Sequence, residues 1–205
     1  MTPKDNFKAF FRHERGEWFP SFFTDANLAV YVTGLDERAP GNQSGKDFFG
    51  CTWVFDPAGG AAVPDTRVAP ILEDIYDWRE KVIFPDLDAI DWEACAKADK
   101  VDTYDPDKFN YAMLLEGPFE RLHTLMGFEE ALCAMLTDPD EVNAFFERLT
   151  DFKCKEMDIL KKYYHPDAIC FHDDWGTQSN MFFSPDIWRQ LIKPHIKKAV
   201  EHCHS

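Results

Sequence analysis

From residue 109 onward the hydrophobic and polar positions alternate in blocks. "FNYAMLLEG" (109–117) is an apolar run of strand length that ends in Glu116 and Gly117. "PFERLHTLMGFEEALCAML" follows at helical spacing, with Gly127 as a break. Asp138 then stands where a helix cap belongs, with Pro139 at the first helical position. The long helix it opens has Val142, Phe145, Phe146, Leu149, Phe152, Ile159, Leu160 and Tyr163 on its core face. Lys161 and Lys162 close it, which suits the negative end of the helix dipole. "DAICFHDD" (167–174) is a second apolar strand, and Ser184-Pro185 starts a final helix that Pro194 is placed to kink. Strand, helices, strand, helix is the alternation of parallel β/α units, whose buried strands read as continuous apolar runs.

The first 108 residues are less regular. Thr2 and Pro3 predict a helix start, and Phe7, Phe10, Phe11 and Glu14 follow helical spacing. Aromatics at that spacing read as core rather than as a cofactor box. "EWFPSFF" (17–23) reads as a short buried strand, although Pro20 weakens it. Residues 33–70 are rich in glycine and proline, and "CTWVFDPAGGAAVP" (51–64) predicts a hairpin over Pro57 to Gly60. So long an irregular insertion is usually functional or mobile. Residues 71–108, with Trp78 and Trp92, read as short helices and loops.

Ligands of parallel α/β folds bind beyond the carboxyl ends of the strands. That gives the abrupt change from "AICF" to His172, Asp173 and Asp174 a meaning: a buried strand turns acidic where it meets ligand or water. Glu116 takes the matching place one strand earlier. Two adjacent carboxylates raise one another's pKa, so one can hold a proton near neutral pH. His172 can carry a proton or ligate a metal. Trp175 offers an aromatic face, and Gln178 and Asn180 offer neutral hydrogen-bonding groups. The plainer alternative is that the acids cap a helix or brace a loop. His123 reads as a satisfied core or surface histidine. In "HCH" (202–204), neighbouring helical residues point about 100° apart, which argues against a zinc site.

The bulk numbers narrow the partners. Asp plus Glu is 37 against 22 Lys plus Arg, and the resulting formal charge of −15 disfavours nucleic acid and anionic lipid. No secretory leader or membrane-length apolar run is seen, which predicts a cytoplasmic protein. Residues 1–205 suffice for one domain, and the scattered cysteines form no CxxC.

Three stretches, in order, resemble the uroporphyrinogen decarboxylase superfamily: "MTPKDNFKAFFRHERGEWFPSFF", "YAMLLEGPFERLHTLMGFEEAL" and "FHDDWGTQSNMFFSPDIWRQLIKPHIKKAVEHCHS". The cobalamin-linked methyltransferase branch is the most similar. The resemblance spans most of the chain and is weakest over residues 33–108. It implies a (β/α)8 TIM barrel with its site at the carboxyl rim. Family members run considerably longer, so it also implies an incomplete barrel, the N-terminal βα units with a long irregular insertion. The implied activity is methyl transfer between a corrinoid and a small acceptor such as a thiol. Glu116, His172, Asp173 and Asp174 would then be catalytic, and Trp175, Gln178 and Asn180 would bind substrate. In that branch a zinc ion on a His-x-Cys pair and a later Cys activates the thiol; no His-x-Cys triplet occurs here, so no zinc ligand carries over. The decarboxylase branch binds porphyrinogen carboxylates through arginines after its first strand, whereas Trp18 to Leu35 holds no Arg or Lys. Expected partners are a small-molecule substrate, a corrinoid protein, and a second copy through open strand edges. A decarboxylase and a non-catalytic fragment or binding module are the remaining alternatives.

Overall fold

A computed structural model describes residues 1–205. Helix α1 (Pro3–Phe11) starts as its sequence predicts: the Thr2 hydroxyl accepts the Asp5 amide at 3.1 Å, and Pro3 occupies a position that needs no N–H. Of its aromatic face only Phe7 is core; Phe10 and Phe11 are exposed. "EWFPSFF" is not the buried strand expected of it. Ser21 caps a single turn, α2 (Phe22–Asp25), and both Trp18 Nε1 and the Ser21 amide donate to the Asp25 carboxylate. These local bonds fold the stretch back on itself, and Phe19 and Phe23 are left exposed. The strand begins one step later, as β1 (Ala26–Ala29).

The irregular segment contains the expected hairpin. Strand β2 (Gly45–Lys46) pairs with β3 (Thr52–Asp56), and β3 pairs antiparallel with β4 (Ala61–Pro64) across the Pro57–Gly60 turn. Short helices α3 (Trp78–Lys81) and α4 (Trp92–Ala98) follow, and both tryptophans are buried.

The regular half matches its pattern closely. It runs β5 (Phe109–Leu114), α5 (Pro118–Met126), α6 (Phe128–Thr137), α7 (Pro139–Tyr163) and β6 (Ala168–Phe171). Phe145, Phe146, Leu149 and Leu160 of α7 are fully buried, each contributing about 2 kcal/mol by area. Asp138 sits at the cap position of α7, but its carboxylate accepts the Tyr76 and Thr137 hydroxyls and no helix amide. After β6, Ser184 caps α8 (Pro185–Ile187), a π-turn covers Trp188–Ile192, and α9 (Lys193–Cys203) ends the chain. The wider turn lies immediately before Pro194, which has no amide to donate and clashes with the preceding turn.

Strands β1, β5 and β6 form one parallel sheet in the order β1-β5-β6. The architecture is therefore mixed α/β, with helices packed against a three-stranded parallel sheet. Strand β6 was expected to be buried. It is half-buried throughout, because it is an edge strand, paired with β5 along one side. No helix is long and apolar enough to cross a membrane.

Candidate functional site

Parallel strands release their chains on the same side of a sheet. Beyond the last paired residues, the His172 amide donates to the Leu114 carbonyl at 2.8 Å and the Gly117 amide to the His172 carbonyl at 2.9 Å. The ladder thus runs past both strand ends and brings Glu116 and Gly117 beside Asp173. A Cβ on Gly117 would lie 2.4 Å from the Asp173 Cβ, so the approach requires glycine for space; its φ of −63° is ordinary.

Glu116 turns inward through a left-handed backbone, φ 54°, and is 1% exposed. Its carboxylate accepts Arg38 Nε at 2.7 Å and the Thr124 hydroxyl at 2.9 Å. Arg38 also donates through Nη2 to Glu120 Oε1 at 2.9 Å, and Glu120 Oε2 lies 2.8 Å from His172 Nδ1. One polar chain therefore runs Thr124, Glu116, Arg38, Glu120, His172. Asp173 stands beside it. It accepts the amides of Glu120 at 2.9 Å and Phe119 at 3.3 Å, and Trp175 Nε1 at 2.6 Å. Helix α5 has no side-chain cap of its own, so Asp173 supplies one from the neighbouring strand exit. Helix capping and the strand-exit position thus coincide in one residue.

The electrostatics follow from this packing. Burial pushes the Glu120 carboxyl up, against the pull of its hydrogen bond to His172. The same hydrogen bond raises His172. Burial carries Asp173 up to about 7, against the amides and the indole that favour its charged form. Burial opposes the Arg38 charge, and Glu116 and Glu120 more than restore it. Asp173 is thereby placed to change charge around neutral pH, the range in which general acids and bases work, and His172 holds its proton more tightly than a free imidazole does.

The other expected site residues lie outside this chain. Asp174 is exposed and accepts only the Gly176 amide, at 3.4 Å. Trp175 is half-buried, donates to Asp173, and meets Trp188 edge-on with centroids 5.5 Å apart. Its indole N–H thus braces Asp173. Gln178 and Asn180 are exposed on a loop closed by the Gly176–Met181 bridge, and neither side chain bonds the cluster.

Sequence reasoning missed Arg38, Glu120 and Thr124, and also a layer beneath them. There Arg121 donates to Asp47 Oδ2 at 2.7 Å, to the Glu37 carbonyl at 2.6 Å and to Glu37 Oε2 at 2.8 Å. Lys153 bonds the other Glu37 oxygen and the Leu115 carbonyl, the latter at 2.9 Å, and lies 3.2 Å from Glu156. Lys153 and Glu156 fall in phase with the apolar stripe of α7, and charges inside such a stripe are a readable signal. Arg38 and Asp47 sit in the irregular segment, where no periodicity marks an inward side chain. A cavity of about 320 Å³ opens at the exits of β1 and β5, lined by Val32, Leu35, Arg38, Met113 and Leu115 among others.

His123, His195 and His202 have local partners, His195 through Nε2 to Asn143 Oδ1 at 2.9 Å. His123 is half-buried against Phe119 and Phe128, and burial lowers its pKa. His202 Nε2 lies 2.9 Å from Asp158, and no three His, Cys, Asp or Glu side chains gather where they could hold a metal. No family model, curated protein or solved structure matches the chain.

Proposed function

We propose that the strand exits form the working rim of an enzyme, with the parallel sheet as part of a (β/α)8 barrel of the uroporphyrinogen decarboxylase type. The reaction is methyl transfer between a corrinoid and a small acceptor such as a thiol. One observation carries the proposal of a catalytic rim: the half-exposed His172 ends a buried polar chain at the carboxyl ends of two parallel strands. In this reading the acceptor thiol gives up its proton as its sulfur pair forms the new bond to the methyl carbon, and the pair of the bond broken would stay with the departing corrinoid. His172 receives that proton on its free ring nitrogen, while Glu120 holds the other. Arg38 fixes Glu120, and Asp173 orients the start of α5. The branch's zinc does not fit the residues present, since no three candidate ligands converge. No step here depends on it.

Charge favours methyl transfer over porphyrinogen decarboxylation. Glu116, Glu120, Asp173 and Asp174 gather at these exits, and Arg38 already donates through Nε to Glu116 and through Nη2 to Glu120, a poor receptor for a substrate with many carboxylates. Incubation with methylcobalamin and a panel of thiols, followed by the loss of methylcobalamin absorbance, tests the proposal. His172→Gln is expected to slow turnover by about 100-fold or more. Absence of turnover with every thiol, in protein that unfolds cooperatively, overturns it.

A second reading is association. The β1 and β6 edges are unpaired along one side, and Phe19 and Phe23 are 83% and 89% exposed. Sedimentation separates the two: concentration-dependent assembly supports a role in binding a second copy or a partner, and a monomer at all concentrations opposes it.

A further inference from the structure

The exit cluster and the buried layer below it are interleaved along the chain. Glu37 precedes Arg38, and Arg121 follows Glu120. Leu115, whose carbonyl accepts Lys153 Nζ at 2.9 Å, precedes Glu116. At three points, then, one residue faces the rim and its neighbour is tied down inside. Charge in the buried layer balances without Glu156: Glu37 and Asp47 stand against Arg121 and Lys153. Both Glu156 oxygens lack a hydrogen-bond partner. The ammonium of Lys153 therefore has two distinct duties, neutralising Glu37 and holding a backbone carbonyl. The second has a specific consequence. Glu116, the next residue, is held left-handed, a conformation that residues with a Cβ rarely adopt. An ordinary strand conformation there would send its carboxylate away from Arg38 and Thr124.

We propose that Lys153 is a positioning residue for the exit cluster. By gripping the Leu115 carbonyl it fixes the turn at Glu116, and with it the line from Glu116 through Arg38 and Glu120 to His172. This rests on reading the exit cluster as the working site, but its test needs no turnover. A failure of methyl transfer therefore leaves it standing, and its own failure leaves methyl transfer untouched.

Two measurements decide it. In the wild-type protein, a lysine ammonium that is buried and bonded exchanges slowly enough to give a nitrogen-correlated NMR signal, whereas exposed lysines exchange too fast. One protected ammonium signal is expected, with contacts to Leu115 and Glu116; its absence overturns the proposal. The second measurement follows the His172 ring through a pH titration. Lys153→Met alone would leave Glu37 under-compensated and risks misfolding, so it is combined with Glu37→Gln, which keeps the buried charge balanced and leaves Arg121 an acceptor. In this double variant the His172 midpoint is expected to fall toward that of a free imidazole. Glu156→Gln, which alters a neighbour of Lys153 without touching Leu115, is expected to leave the midpoint in place. An unchanged midpoint in the folded double variant, or an equal shift in Glu156→Gln, overturns the proposal. If the double variant does not fold, the ammonium signal decides.

Discussion

The two charged layers share neighbours along the chain and differ in what their charges can do. In the lower layer no side chain is more than 2% exposed, and its cations are an arginine and a lysine. Burial opposes the Arg121 charge, but Asp47 and Glu37 more than restore it, so that guanidinium stays charged across the physiological range. In the upper layer His172 is 37% exposed, and its groups include a raised histidine and an aspartate carried up to about 7. One layer is sealed and fixed; the other is half-open and adjustable. The contrast teaches that groups able to change charge need surroundings that do not. If the rim rested on equally labile groups, each protonation would move its own support.

The strongest way to break this comparison is to remove the fixed charge. Arg121→Met leaves Asp47 buried without its cation and strips Glu37 of one of two. Breaking a buried pair in this way costs about 3–5 kcal/mol, because the stranded charge stays desolvated. Urea denaturation should register that loss. Arg121→Lys should recover little, since one ammonium cannot reproduce the fork that reaches Asp47, the Glu37 carboxylate and the Glu37 carbonyl together. A methionine variant within about 1 kcal/mol of wild type would mean that the lower layer supports nothing.

A smaller effect sharpens the comparison through pH. Asp173 is raised in the folded state, so the native protein binds that proton more tightly than the unfolded chain. The resulting stability is fully present below the unfolded value of about 3.9 and is lost as pH climbs through about 7. His172 acts in the same direction. It is also raised, so its pairing with Glu120 contributes in full below about 6.5 and fades as pH passes its folded value. Stability should therefore decline from about pH 4 to about pH 7 through Asp173, with His172 adding to the decline above about 6.5. Asp173→Asn should flatten part of that decline and His172→Gln a further part. If the wild-type protein keeps constant stability over that range, the upper layer is not the adjustable one.

The layers also differ in how far the sequence disclosed them. The apolar blocks "FNYAML" and "AICF" announced the two longer-range strands of the parallel sheet, and the acids behind them marked both exits. That worked because a strand interior and its end differ in polarity within two residues. The β1 strand was misplaced because "EWFPSFF" has the composition of a strand, while Ser21 and Asp25 bond locally and close a turn instead. The partners of the acids were harder still. Arg38 reaches Glu116 across 78 residues of sequence. Nothing local in "GLDERAPGN" distinguishes it from a solvated arginine. Lys153 and Glu156 were legible in principle, since both lie in phase with Phe145, Leu149 and Leu160. Reading that stripe only for its apolar members concealed them.

The smallest expected effect concerns Asp174. It follows Asp173 directly, yet it is exposed and held by one long contact to the Gly176 amide. Asp174→Asn should change stability by no more than about 0.5 kcal/mol, as for most surface substitutions without buried partners. Stability is therefore the wrong readout for it, and ligand binding the right one. A residue that the fold does not need, placed at a strand exit beside His172, can be altered without disturbing what lies beneath. If Asp174→Asn changes turnover or ligand affinity while leaving the unfolding curve in place, the open face of the upper layer is in contact with substrate. If it unfolds the protein as readily as a change to Asp173, the division between an adjustable surface and a fixed support is drawn in the wrong place.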